Sequence, residues 1–478
     1  MIEIRETNGI LHHFQYEPTG DQQTAVRHLA AFGVSRKRNP AYLLKGYAGT
    51  GKTSLISAFV RFLHETRRRF VLLAPTGRAA KVLSQYTGFK AYTIHRYIYR
   101  TVTQNDGRKK LILSQNKMQS TVFIIDEASM ISDFAGDRAM ISSSDSLLDD
   151  LIQFVFSQNG NKILLVGDTA QLPPVGLDIS PALELDYLKQ AFNLTAFSFE
   201  MRDVMRQALN SGILKSATYL RRKLEEGKTE PPFFLQKNFG RDVQVVEDGY
   251  MLEDLMQTAF SGSMDTKSIV ITRSNKSANH YNGQIRSRIQ LRESLLEAGD
   301  QVMVVKNNYF WLSPDSKAGF IANGDLVQIV RVNSIEDLYG FRFADVEMQL
   351  LDYPEEKEIT VKLLLDTLGA PGADISAEEQ RRLFDNVSQD YMSIPQHRKR
   401  MEAVMKDPYF NALHVKYAYA ITCHKTQGGQ WPVVFIDQGY VTEDQLNVEY
   451  LRWLYTALTR ATQKVYLLNF RPEFFSDD

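Results

Sequence analysis

Three glycines, a lysine and several hydroxyl side chains stand together in "GYAGTGKTS", residues 46–54. The run satisfies G-x-x-x-x-G-K-[ST], with Gly46, Gly51, Lys52 and Thr53 at the defining positions. Glycines there permit positive φ and let backbone N–H groups close on phosphate oxygens. Lys52 is expected to reach the β and γ phosphates, and the Thr53 hydroxyl to hold Mg²⁺. Gly49, Thr50 and Ser54 fill out the cradle. The chemistry this implies is the binding of a nucleoside triphosphate.

A carboxylate pair follows an apolar run in "VFIIDEAS", residues 122–129. Asp126 is placed to hold Mg²⁺, directly or through water. Glu127 is placed to orient and deprotonate an attacking water. In "GDTAQLPPVG", residues 167–176, Gln171 can hydrogen-bond a γ-phosphate or its water, and Pro173 and Pro174 stiffen the exit of that loop.

These residues need elements to position them. "AYLLK" reads as a strand entering the phosphate loop. "SLISAFVRFL", apolar at 55, 56, 59, 60 and 63, reads as the helix leaving it, its dipole aimed at the phosphates. Short apolar runs at 42–44, 70–74, 122–126 and 163–167 alternate with helical patterns, which predicts a parallel sheet covered on both faces. Ligands then sit at one edge of that sheet. A second set of runs, at 268–272, 417–422, 433–437 and 465–469, predicts a second α/β lobe. Between its first and later strands, 300–412 has short β-like runs and then a polar, helix-prone stretch. It reads as a small β-rich domain with a helical insertion. "YIYRTVTQNDGRKKLILSQ", 97–115, reads as a hairpin about an Asn-Asp-Gly turn.

A chain of 478 residues is too long for one core. Lys plus Arg and Asp plus Glu both number 56, so any polyanion site must be a local track on a balanced surface. One cysteine, Cys423, excludes a disulfide framework and a cysteine-rich zinc site. With no apolar run of membrane-spanning length and no signal-peptide pattern, the expectation is a cytoplasmic protein with no membrane partner.

In order along the chain, "APTGRAAKVLS", "YTIHRYIY", "IIDEASM", "LLVGDTAQLPPVG", "VMRQ", "CHKTQGGQW" and "YTALTRA" resemble the successive motifs of superfamily 1 helicases. The resemblance is to the RecD-like and Dda-like branch, and it covers nearly the whole chain. It implies two RecA-like P-loop lobes: 1–190, carrying the hairpin, and 191–299 with 413–478. It further implies an SH3-like insertion at 300–412. The implied activity is ATP- and Mg²⁺-dependent 5′→3′ movement on single-stranded DNA with unwinding of duplex. The implied partners are single-stranded and junction DNA, with proteins of DNA repair, recombination or replication, and the expected state is a monomer.

By the same resemblance, Gln22 matches the glutamine that reads adenine, with Gln23 as the alternative in this register. Arg206 and Arg460 match two lobe-two arginines that reach the γ-phosphate. Thr76, Thr93, His95, His424, Lys425 and Thr426 match strand-contacting positions, and Tyr97, Tyr99 and Trp431 are candidates for stacking on bases. The hairpin matches the wedge at the duplex fork. Many relatives carry a ribose-binding glutamate where this chain has Gln430, which weakens the expectation of strict ATP preference. No long extension precedes Gln22, so the partner-binding region of nuclease-complex subunits is not expected. Three alternatives stay open at this point: an RNA helicase, a translocase that does not unwind, and a non-catalytic strand-binding subunit.

Overall fold

The structure is a computed structural model. It describes residues 2–14, 16–103, 109–133, 146–204, 211–261, 268–313, 316, 318, 320–351, 353, 356–372 and 374–476.

The first lobe is built on six parallel strands. Their spatial order is Ala91–Thr93, Arg69–Ala74, Thr121–Ile125, Lys162–Gly167, Pro40–Gly46 and Thr195–Met201. The central strands are continuous apolar runs because both faces are covered. Tyr42, Leu44, Val122, Ile124, Leu164 and Val166 face one core, shared with helices Gly20–Val34 and Lys52–Glu65. Their neighbours Ala41, Leu43, Phe123, Ile125, Ile163 and Leu165 face the other, shared with Leu147–Phe156 and Leu185–Phe192.

The sequence boundary at 190 falls too early. Thr195–Met201 pairs with Pro40–Gly46 over seven residues, so it closes the edge of the first sheet. It escaped detection as a first-lobe strand because an edge strand is only half covered: "TAFSFEM" mixes buried and half-buried positions rather than forming an apolar run.

The second lobe holds five parallel strands in the order Val243–Val245, Ala461–Leu468, Trp431–Asp437, Ser268–Thr272 and Ala420–Thr422. Inserted in it is a closed barrel of Gln301–Val304, Leu326–Leu338, Phe341–Leu350, Ile359–Leu364 and Leu413–Tyr417. Helices Ala377–Asp390 and His397–Met405 lie between the last two barrel strands. They pack Leu383, Val387 and Val404 against Phe341, Phe343 and Leu364. The boundary at 412 also needs correction. The run at 417–422, read as one lobe-two strand, straddles two sheets: Tyr417 ends the barrel strand Leu413–Tyr417, and 420–422 belong to the lobe-two sheet. The hairpin strands Tyr99–Thr103 and Lys109–Leu113 pair antiparallel, and the expected Asn-Asp-Gly turn lies outside the described residues.

Both chain crossings between barrel and lobe two meet at one carboxylate. Asp300 is fully buried and takes Arg286 on both oxygens at 2.9 Å each. It also accepts from Arg292 and, at 3.0 Å, from the Tyr419 hydroxyl. That hydroxyl in turn accepts from the Gln301 N–H at 3.1 Å. Asp300 and Gln301 lead into the barrel, and Tyr419 lies on the way out. Removing the carboxylate strands two largely buried guanidinium groups. Asp300→Ala is therefore expected to cost about 3–5 kcal/mol in chemical denaturation. A loss below about 1 kcal/mol would mean that the knot does not secure the barrel.

Candidate active site between the two lobes

The phosphate loop is shaped by what its glycines avoid. Gly51 sits at φ +82 immediately before helix Lys52–Glu65, and Gly49 at φ +78. A Cβ on Gly46 would come within 2.9 Å of Thr50 Oγ1 and 3.2 Å of Met201 Cβ. Lys52 donates to the carbonyls of Gly46 (2.5 Å) and Tyr47 (3.0 Å), so its ammonium lies over the loop. Thr50 is buried and spends its hydroxyl on the Tyr47 carbonyl. Thr53 and Ser54 open onto a cleft of about 770 Å³ that Gln22, Gln23 and Tyr86 also line. Gln22 is partly committed already. Its Oε1 accepts from the Thr19 N–H (3.0 Å) in a capping box, and its Nε2 donates to the Thr50 carbonyl (3.2 Å).

Asp126 ends its strand with its N–H on the Leu73 carbonyl, and Glu127 follows in the left-handed region at φ +52. A side-chain-bearing residue held there costs on the order of 1–3 kcal/mol, which surrounding structure must offset. Burial pushes the Asp126 carboxyl up, opposed by hydrogen bonds from Tyr86 and the Glu127 N–H and by Lys52. Burial and then the Asp126 charge push Glu127 up, opposed by Arg460 and Lys52. The Arg460 charge thus reaches Glu127 from the other lobe. Arg460 is buried and held by the carbonyls of Thr456 (3.2 Å) and Gly429 (3.3 Å). Gln171 is buried, and its Oε1 has no hydrogen-bond partner among the described residues.

The loop that carries Gln171 is gripped from lobe two. Tyr455 accepts from the Ala48 N–H (2.8 Å) and donates to Asp168 Oδ2 (2.7 Å). Thr456 Oγ1 accepts from the Leu172 N–H (2.9 Å), and Gln427 Nε2 donates to the Leu172 carbonyl (2.7 Å). A second seam joins "QGGQW" to helix Gly77–Thr87. The Arg78 guanidinium lies 3.8 Å from the Trp431 ring centroid and donates to the Gln430 carbonyl (3.1 Å). Gln430 is exposed, and its contact with lobe one is that carbonyl.

The residues present fit a nucleotide and Mg²⁺. The loop crowds out side chains, an orphaned amide oxygen is buried at Gln171, and two acids face two cations. Arg206 lies outside the described residues.

Several strand-contact expectations need revision. Thr426 is fully buried and donates to the Cys423 carbonyl (2.6 Å), so it is not available to a strand. Trp431 is a core residue beneath Arg78. Tyr97 packs on Phe123 and Phe154, and Tyr99 donates to Asp150 Oδ2 (2.6 Å). Thr76 and Thr93 both cap helices, accepting from Ala79 N–H and Arg96 N–H at 3.2 Å each. His95, His424 and Lys425 are half-buried. Burial and Lys416 push Lys425 down to about 8.

Against this geometry, residues 17–230 match the AAA domain family model, and 417–468 match the UvrD-like helicase C-terminal domain. The ATP-dependent RecD2 DNA helicase of Deinococcus radiodurans is 32% identical, over 37% of this chain and 21% of that protein. The ATP-dependent DNA helicase Pif1 of a Psychrobacter species is 23% identical, over 84% of this chain and 64% of its own length. The ATP-dependent DNA helicase dda of Enterobacteria phage T4 is 27% identical, over 60% and 62%. The two matched models, in this order along the chain, and these relatives together support a superfamily 1 helicase of the RecD, Pif1 and Dda type. The alignments span less than two thirds of each of these three relatives.

Tyr47, Tyr86, Asp168, Gln427, Tyr455 and Thr456 join the site without having been singled out in the sequence. Four of them lie within the ordered motifs, in "GDTAQ", "HKTQG" and "YTALTRA". Tyr86 carried no signal. Tyr455→Phe removes both the acceptor for Ala48 N–H and the donor to Asp168, and about 1–3 kcal/mol of stability is expected to go with them. Amide exchange at Ala48 is expected to accelerate. Unchanged exchange there would contradict the bridge.

Proposed function

We propose that the chain is an ATP-dependent DNA helicase that moves 5′→3′ along one strand and opens duplex ahead of it. The observation that carries this reading is the inter-lobe seam at the phosphate loop: Tyr455 and Thr456 of lobe two, a few residues before Arg460, bind Ala48, Asp168 and Leu172 of lobe one. A site completed by both lobes ties bond cleavage to lobe closure, and lobe closure to movement on a strand. The polarity rests on the motif resemblance.

Thr53 and Asp126 would hold Mg²⁺, which when bound neutralises charge on the β and γ oxygens. The loop N–H groups and Lys52 hold the phosphates. Glu127 accepts a proton from the attacking water, Gln171 orients that water, and Arg460 stabilises charge on the transferring phosphoryl group. Arg206 is assigned the same role by its motif. Gln22 or Gln23 contacts the base from the wall of the cleft, and Gln430 lies on the ribose side. His95, His424 and Lys425 grip the strand. The hairpin Tyr99–Thr103 with Lys109–Leu113 is the wedge. Opening one base-pair step costs about 1.4 kcal/mol, a modest load for one hydrolysis event.

Arg460→Ala is expected to lower kcat roughly 10³-fold, as loss of an arginine finger does, with nucleotide affinity nearly kept. On partial duplexes, unwinding should need ATP and a 5′ tail. Preference for a 3′ tail would overturn the polarity, and stronger stimulation by RNA than by DNA would overturn the substrate.

Strand affinity should also depend on pH through Lys425. Only its protonated form attracts a phosphate, and burial beside Lys416 lowers its pKa to about 8. Affinity measured by fluorescence anisotropy is therefore expected to fall across roughly pH 7 to 9, centred near 8. In Lys425→Ala this fall should flatten. An equally steep fall in that variant would remove Lys425 from the strand track.

A further inference from the structure

Tyr86 belongs to none of the motifs that mark the nucleotide site, yet it reaches the heart of it. It lies near the C-terminal end of helix Gly77–Thr87, and its hydroxyl donates to Asp126 Oδ2 at 2.5 Å. The other carboxylate oxygen, Oδ1, accepts from the Glu127 N–H at 2.9 Å. One donor on each oxygen fixes the rotation of the carboxylate and leaves a lone pair on each for a cation or its water. Tyr86 is itself held from behind. Ser57, on the helix that leaves the phosphate loop, donates to the Tyr86 carbonyl at 2.9 Å. The ring packs against the core that this helix shares with the sheet. Both Tyr86 and Thr53 line the same cleft.

Resting on the reading that Asp126 holds the divalent cation, we propose that Tyr86 is a positioning residue for that cation, acting through its hydroxyl on Asp126. The hydroxyl, with the Glu127 N–H on the other oxygen, fixes the rotation of the carboxylate, so that a nucleoside diphosphate or triphosphate arrives at a cation site already oriented. Partners of this kind behind a metal ligand set metal affinity much more than they set the fold: their loss costs roughly 10- to 100-fold in metal binding.

Tyr86→Phe keeps the ring and its packing and removes only the hydroxyl. The test is Mn²⁺ titration of the full chain with ADP, followed by electron paramagnetic resonance. ADP affinity without divalent cation is measured in parallel by calorimetry. The variant is expected to bind Mn²⁺ about 10-fold more weakly in the presence of ADP. Its metal-free ADP affinity should stay within about 2-fold of the parent, a split that a general loosening of the site would not produce. Ser57→Ala, which releases the Tyr86 carbonyl and keeps the phenol, should lie between the two proteins in Mn²⁺ affinity. Equal Mn²⁺ affinity in Tyr86→Phe and the parent overturns the proposal and leaves the nucleotide-site reading standing. A parent that binds no Mn²⁺ with ADP overturns both.

Discussion

The Tyr455 hydroxyl, set between the Ala48 N–H and the Asp168 carboxylate, is the contact on which the rest of the site depends. Lobe one supplies a phosphate loop and two acids, and among the described residues Lys52 is the one cation of that lobe that offsets their charge. Arg460 supplies a second cation from lobe two, just past the end of helix Val448–Leu458. Tyr455 and Thr456 are in the last turn of this helix, and both bind lobe one. Because a helix transmits displacement as a rigid rod, fixing its last turn fixes the arginine that follows it. Arg460 therefore stands where it does through a few hydrogen bonds to a tyrosine and a threonine.

The electrostatics make the same dependence two-way. Asp126 and Glu127 are adjacent, buried and of like charge, so each resists ionisation. Lys52 from one lobe and Arg460 from the other are what offset this. Separating the lobes would withdraw Arg460, one of the two cations that favour the ionised form of Glu127. Closure of the lobes therefore brings to the acids the cation that lobe one lacks, and that cation is also the one placed to stabilise a transferring phosphoryl group.

Much of this was legible in the sequence, and the exceptions have physical causes. The central strands were readable because a sheet covered on both faces demands unbroken apolar runs, as in "VFII" and "ILLV". The phosphate loop was readable because its glycines answer to backbone geometry, which is local. Thr195–Met201 was not placed correctly, because an edge strand needs only partial apolarity. "YAYAIT", 417–422, hid a change of sheet, because apolarity reports burial and not which core does the burying. Trp431 and Tyr97 look alike as base-stacking platforms and as core fillers, and packing alone separates the two. Tyr86 was invisible for the opposite reason: its partner, Asp126, lies forty residues away, and no spacing rule connects a helix tyrosine to a strand-end carboxylate.

Helix Gly77–Thr87 is where these constraints converge. Lobe two presses Gly428 against its first turn, where an added Cβ would fall 2.8 Å from Ala79 Cβ and 3.1 Å from Thr76 Oγ1. The barrel approaches the same turn, since a Cβ on Gly77 would lie 2.6 Å from Asp325 Oδ1. The barrel also receives Lys81 on the Leu351 carbonyl and Arg96, from the neighbouring helix, on the Ala318 carbonyl. Two glycines thus make room for three bodies to meet at one helix end, while Tyr86 at the other end touches the acid of the nucleotide site. An eleven-residue helix spans about 16 Å and bends little over that length. Any rearrangement of barrel or lobe two that displaces Thr76 must therefore be felt, through the same rigid element, at Asp126.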